Sequence, residues 1–318
     1  MTNYPSISHA DLIAARKRID PFIHRTPVLT CSALDAASGA KLFFKCENFQ
    51  KVGAFKMRGA ANAVAQLSAE QAAHGVATHS SGNHGQALAL AARLAGVDCH
   101  VVMPRNAPAV KKAAVAGYGA RVIECEPGQA ARQQSLAEVI EQTGAHVVPP
   151  FDDARIIIGQ ASCALELLEQ VDDLDIVIAP VGGGGLLAGT ALAVSHVRPD
   201  CAVWAGEPAA VDDTARSLAA GRILPNDSAQ SIADGLLTTV GELPFAIIQH
   251  HVERVITVSE EEIVAAMREI WLRMKIIIEP SCAVAFAALL KEPEDVAGKR
   301  VGVILTGGNV DLANLPFS

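Results

Sequence analysis

The stretch Asp175-Ile176-Val177-Ile178-Ala179-Pro180-Val181-Gly182-Gly183-Gly184-Gly185-Leu186-Leu187-Ala188 decides the fold. A short β-branched run enters four glycines and leaves as a helix-like segment reaching Val194, which reads as strand, turn, helix. Residues without Cβ let the backbone approach a ligand and take up positive φ, and a helix starting after them points unpaired N–H groups at an anion. The stretch is a phosphate cradle by this reading. It lacks the Lys-Ser/Thr that a nucleotide P-loop carries after its last glycine. A dinucleotide is harder to dismiss: Gly183, Gly185 and Ala188 fit G-x-G-x-x-A, and Glu207 follows about twenty residues later, at the end of a strand-like Ala202 to Gly206, where a ribose-binding acid sits. Ile176 to Val194 is uncharged, but Pro180 and the glycines would ruin a membrane-spanning helix.

Outward from this point, short β-branched runs alternate with longer Ala/Leu-rich stretches. His100 to Met103 precedes Ala107 to Ala116, and Arg121 to Glu124 precedes Gly128 to Thr143. Further strands fit Leu42 to Lys45, Val76 to His79, Val147 to Val148, Arg254 to Val258 and Arg300 to Leu305. Ser259 and Glu262 form a capping box that opens a helix running to about Lys275. This is an α/β pattern, with parallel sheets covered by helices on both faces. The 318 residues and 50% hydrophobic content supply ample core. A net charge of -8 without basic runs argues against nucleic acid or anionic membranes as partners and favours a small-molecule ligand. The seven cysteines are scattered and never in C-x-x-C spacing, which suits a reducing cytosol. Met1 to His9 has neither a basic nor an apolar leader region, so a cytoplasmic location is expected.

Three further segments carry chemistry. Lys56 lies in Val52-Gly53-Ala54-Phe55-Lys56-Met57-Arg58-Gly59 among small and apolar neighbours, where desolvation disfavours the ammonium and frees a nucleophilic amine. Taken alone it reads as a solvated surface lysine, and it is the context of the other segments that changes this. Ser80-Ser81-Gly82-Asn83-His84-Gly85 follows the strand Val76 to His79 and precedes the helix-like Gln86 to Leu94. Hydroxyls, amides and a helix start converge there on a small anion such as a carboxylate, or form an ordinary N-cap turn. Thr306-Gly307-Gly308-Asn309 is a glycine turn after the last strand, and loops at the carboxyl ends of strands form the ligand crevice of open α/β sheets.

Together these segments resemble the fold-type II pyridoxal phosphate enzymes, in the branch of serine/threonine dehydratases, serine racemases and 3-hydroxyaspartate dehydratases. The resemblance spans nearly the whole chain. It adds Lys45-Cys46-Glu47-Asn48-Phe49-Gln50, Ile232-Ala233-Asp234-Gly235 and Glu279-Pro280-Ser281 to the segments above. It implies a tryptophan synthase beta-like fold: two open, twisted, mostly parallel sheets flanked by helices. It also implies that Lys56 forms a Schiff base with pyridoxal 5'-phosphate and that Phe55 packs beside the ring. Asn83 then bonds the phenolic oxygen, Gly182, Gly183, Gly184 and Gly185 with the Leu186 amide hold the phosphate, and Thr306 faces the pyridine nitrogen. A neutral hydroxyl there leaves the ring a milder electron sink, which favours elimination over transamination. A dinucleotide would leave Lys56 and the serine loop without work.

The implied reaction removes water and then ammonia from a β-hydroxy amino acid, giving a keto acid. Lys56 takes the Cα proton, while Ser80, Ser81, Asn83 and His84 hold the substrate carboxylate. In the racemase branch a serine at the position of Ser81 acts as a second acid/base. Glu207 to Asp213 resembles the divalent-cation loop of that branch, with Glu207, Asp213 and the Val211 carbonyl as ligands for Mg²⁺, Ca²⁺ or Mn²⁺; an acidic solvated turn is the plain alternative. Arg132 matches by position an arginine that contacts dicarboxylates, which favours 3-hydroxyaspartate over serine or threonine. An exposed helix arginine is its plain reading. Thr238 could line the same pocket. Gly159-Gln160-Ala161-Ser162 departs from the Gly-Gln-Gly-Thr common among dehydratases, which weakens a direct transfer of serine or threonine specificity. The expected organisation is a homodimer, each chain with a large cofactor domain (1–74 and 149–318) and a small mobile domain (75–148), and no C-terminal regulatory domain.

Overall fold

The computed structural model describes residues 4–80, 82–107, 109–226 and 230–317, and it is built around two sheets. The strands are β1 (Val28–Leu29), β2 (Lys41–Cys46), β3 (Val76–His79), β4 (Cys99–Pro104), β5 (Arg121–Cys125), β6 (His146–Val147), β7 (Ile176–Pro180), β8 (Ala202–Pro208), β9 (Arg254–Val258) and β10 (Arg300–Leu305). One sheet has the order β1-β2-β10-β7-β8-β9 and the other β5-β4-β3-β6. All pairings are parallel except β1 with β2. Helices connect the strands, as parallel pairing requires.

The six-stranded sheet is covered on both faces, and the period of two along its strands sorts the side chains. Val177, Ala179, Val203, Ala205 and Ile304 enter one core with the helix Gly185–Val197. Ile176, Ile178, Trp204, Val301, Val303 and Leu305 enter another with the helix Pro280–Leu290. Every residue of β7 is buried, which is why its sequence is continuously apolar rather than alternating. Each buried Val or Ile side chain contributes about 1.5–3 kcal/mol of transfer free energy.

The four-stranded sheet draws all its strands from residues 76–147. A third core joins Met57, Ala60 and Ala61 of the helix Lys56–Val64 to Val76, Leu88, Val101 and Met103 around that sheet. The helix that begins at Lys56 thus shares the core of the smaller sheet and packs against the helices Asn83–Ala95 and Ala154–Gln170. The segments that carry chemistry follow the carboxyl ends of β3, β7, β8 and β10, where a parallel sheet opens its crevice. No helix among the described residues is long and apolar enough to cross a membrane.

Candidate active site

Lys56 opens its helix, and its Nζ donates to the Pro150 carbonyl at 2.8 Å and lies 5.1 Å from the centroid of the Phe55 ring. The residue keeps some surface open, but its amine is enclosed, and desolvation lowers its pKa to about 8 against the opposing pull of Glu279. A carbonyl and an aromatic face stabilise an ammonium less than water does, so the free amine is accessible near neutral pH. The adjoining backbone is fixed by the Phe55 N–H donating to the Thr306 carbonyl at 3.0 Å.

The tetraglycine meets this lysine through Phe151, the neighbour of Pro150. A Cβ on Gly183 would lie 2.2 Å from the Phe151 ring and one on Gly185 3.0 Å from its Cβ. A Cβ on Gly182 would strike the Leu236 backbone at 2.7 Å. Of the four, Gly184 alone takes a positive φ, +87°. Close approach, rather than backbone freedom, therefore requires the other three. The helix starts at Gly185, so the Leu186 N–H belongs to its unpaired first turn. This cradle and the desolvated amine beside it fit a phosphorylated aldehyde.

The helix after β3 begins at Asn83, earlier than the sequence pattern suggests, which puts Asn83 and His84 in its first turn. Ser81 lies outside the described residues; Ser80 Oγ accepts the Gly82 N–H at 3.3 Å. His84 is buried, with Nε2 3.0 Å from the Val148 carbonyl. A carbonyl only accepts, so Nε2 carries the proton and Nδ1 is a lone pair. Desolvation, with the Lys56 charge, lowers its pKa to about 3 and keeps the ring neutral. The His84 ring thus offers an acceptor, and a carboxylate at this loop must be met by other groups, including the N–H groups of the helix start.

Arg132 is half-buried and close enough to His79, at the end of β3, to lower the pKa of that ring behind the larger effect of burial. Among the described residues its guanidinium makes a long 3.4 Å contact with the Gly128 carbonyl. Thr238 is exposed, in the turn between Leu236 and Val240 that packs on Gly182 and Gly184. Thr306 is buried at the end of β10, beside the Cys282 thiol, whose pKa burial pushes up.

Glu279 had no role in the sequence reading. Its carboxylate accepts from Asn83 Nδ2 at 2.8 Å and from the Asn309 N–H at 3.1 Å, and burial with nearby Asp234 raises its pKa to about 7. Asn83 and Glu279 stand 196 residues apart, so no spacing could have joined them.

At the end of β8, Glu207 and Asp213 are fully buried. Glu207 accepts the Thr214 and Ala215 N–H groups, each at 2.9 Å, and so caps the helix Asp213–Ala220. Asp213 Oδ2 accepts the Val240 N–H at 2.8 Å, while Oδ1 is buried without a well-formed hydrogen bond among the described residues, although the Asn226 amide is near enough to oppose the rise in its pKa. Burial raises the pKa of both, that of Glu207 to about 7. The buried Val211 lies on the short turn between them. A buried oxygen without a well-formed hydrogen bond, beside a second carboxylate, suits a hard cation, although no group of three or more His, Cys, Asp or Glu gathers among the described residues.

Residues 19–307 match the family model described as pyridoxal-phosphate dependent enzyme. The chain is 51% identical over 311 residues to a beta-hydroxyaspartate dehydratase of Paracoccus denitrificans, covering 98% of this chain and 99% of that one. It is 44% identical over 306 residues to an L-threo-3-hydroxyaspartate ammonia-lyase of Saccharomyces cerevisiae, covering 96% and 94%. The crystal structure of a serine racemase from Dictyostelium discoideum matches with a TM-score of 0.92 at 49% identity, covering 96% of this chain and 99% of that one.

Proposed function

Because the chain belongs to the pyridoxal-phosphate dependent enzymes, we propose that it is an ammonia-lyase that dehydrates a β-hydroxy amino acid, with 3-hydroxyaspartate as substrate. The observation that carries the chemistry is the desolvated Lys56 amine, 2.8 Å from the carbonyl of Pro150, whose chain neighbour Phe151 abuts the glycine cradle. When bound, pyridoxal phosphate supplies an electron sink for the charge that develops at Cα. Lys56 would hold the cofactor, and its amine, when free, would take the Cα proton. Gly182 to Gly185 and the Leu186 N–H hold the phosphate. Asn83 would meet the phenolic oxygen, Thr306 the pyridine nitrogen, and Phe55 the side of the ring. Ser81, outside the described residues, is the candidate for the second acid/base group.

The substrate assignment is supported by the names of the Paracoccus and yeast relatives and by Arg132 near His79. A guanidinium pairs with a side-chain carboxylate bidentately, which serine and threonine cannot offer. Keto acid and ammonia release from the 3-hydroxyaspartate stereoisomers, serine and threonine tests this side by side. Arg132→Ala should lower kcat/KM for hydroxyaspartate about 10–100-fold and leave that for serine within a few-fold. Faster turnover of serine by the wild-type enzyme would move the assignment to the serine dehydratase or racemase type.

Glu207, the Val211 carbonyl and Asp213 are the proposed ligands of a divalent cation, completed by water. We take residues 75–148 to be the portion that closes over substrate to exclude water, and the assembly to be a homodimer, for which sedimentation at the mass of one chain would be the contrary result.

A further inference from the structure

Asn83, Asn309 and Glu279 close a ring of hydrogen bonds whose polarity can be assigned from its fixed members. The Val52 main-chain carbonyl can only accept, so the Asn309 atom 2.8 Å from it is the amide nitrogen. The same nitrogen lies 2.8 Å from Asn83 Oδ1, which commits both of its hydrogens. Asn83 Nδ2 must then face Glu279, where it donates to Oε1 at 2.8 Å. The other carboxylate oxygen accepts the Asn309 main-chain N–H, at 3.1 Å, and closes the ring. One N–H of Asn83 Nδ2 remains uncommitted by this network.

The anchors of the ring are built with care. Val52 is β-branched yet sits at φ 57°, a region such residues rarely occupy, and there it offers its carbonyl to Asn309. Glu279 is buried at 4% exposure, and its own N–H donates to the Gly307 carbonyl at 3.0 Å. A Cβ on Gly307 would come within 2.9 Å of Glu279 Oε1, so the carboxylate is packed against the turn that carries Thr306.

We propose that Glu279 is a positioning residue that fixes the Asn83 amide with its nitrogen, and one free N–H, available to the bound cofactor. The inference rests on the reading of Asn83 as a cofactor contact. It depends on a carboxylate, because both oxygens accept. A glutamine at this position must turn its oxygen to the Asn309 main-chain N–H, which presents its NH₂ to Asn83. Asn83 cannot relieve that conflict by flipping, since its nitrogen would then face the amide nitrogen of Asn309. Glu279→Gln therefore keeps shape and volume while breaking the polarity of the ring.

The test compares wild type, Glu279→Gln, Asn83→Ala and the double variant by cofactor titration, the absorbance spectrum of the bound cofactor and Tm. The expected result is a roughly tenfold weaker cofactor affinity in Glu279→Gln and an altered absorbance spectrum. The double variant should bind no more weakly than Asn83→Ala alone. If Glu279→Gln fails to fold, Asn309→Ala removes the other end of the ring and should give the same spectral change. Wild-type affinity and spectrum in the folded variant, even with a lowered Tm, would reduce Glu279 to a packing role and overturn the proposal. Wild-type protein that takes up no cofactor would instead remove the reading on which it rests.

Discussion

Beneath the Lys56 helix, Arg58 donates to both oxygens of Glu47, at 2.6 and 2.8 Å, and to both of Glu166, at 2.8 and 2.9 Å. Lys45 adds a bond to Glu166 at 2.7 Å. At the end of β8, Glu207 and Asp213 are just as removed from water, yet backbone N–H groups meet them and one Asp213 oxygen has no well-formed hydrogen bond among the described residues. Two cations and two carboxylates balance in the first cluster; the second holds two carboxylates and strains to stay charged. Lys56 follows the second pattern with the opposite sign, as an enclosed amine whose hydrogen-bond partner is a carbonyl. Charge buried in contact with its counter-charge marks scaffold, and charge buried without such a contact marks a place for a ligand.

The most severe break of this contrast is Lys56→Ala. Removing the enclosed amine, which has no ion-pair contact, should cut keto acid release by about 10³-fold or more without lowering the Tm of the cofactor-free protein. Retained activity would mean that Lys56 is not the reacting amine.

Arg58→Met should act the other way, on stability first. It leaves Glu47 and Glu166 buried without their cation, at a cost of about 3–5 kcal/mol, read as a large fall in Tm. A variant that melts like the wild type would show that the paired cluster is not scaffold.

Cation removal probes the incomplete cluster. Returning Mg²⁺ or Ca²⁺ at a hundredfold over its Kd to chelator-treated protein should stabilise it by about 2.7 kcal/mol. Asp213→Asn should abolish the gain. If the cation changes neither Tm nor activity, the metal site is to be discarded.

The mildest test follows the pKa of Lys56. In the cofactor-free protein, its reaction with an amine-directed reagent should rise with pH and be half-maximal near 8. Below that value the ammonium is protonated and inert; above it the amine is free. A midpoint near the ordinary lysine value of about 10.4 would remove the desolvation argument.

The fold was largely legible. Short β-branched apolar runs such as Ile176 to Ala179, ended by Pro and Gly, read as strands covered on both faces, and their alternation with helix-like stretches favours parallel sheets. Helix starts were less legible. The Asn83 helix begins within a segment whose glycines and polar residues look like loop, because tertiary contacts such as Asn83 to Glu279 hold its first turn. The His84 tautomer was beyond reach, since it depends on the Val148 carbonyl. So was the Arg58 cluster, which draws on residues up to 121 positions apart.

What the sequence determined by itself was the local grammar: strand, glycine turn and helix at 176–194, small residues around Lys56, and carboxylates at the end of β8. Those follow from side-chain size, backbone freedom and periodicity, which act over a few residues. The tertiary structure decided which of these groups meet and in what charge state. Pro150 and Phe151 bring Lys56 to the cradle, Glu279 reaches Asn83, and burial leaves some charges paired and others waiting. Desolvation and hydrogen-bond polarity belong to the surroundings a group is given, and distant parts of the chain supply those surroundings.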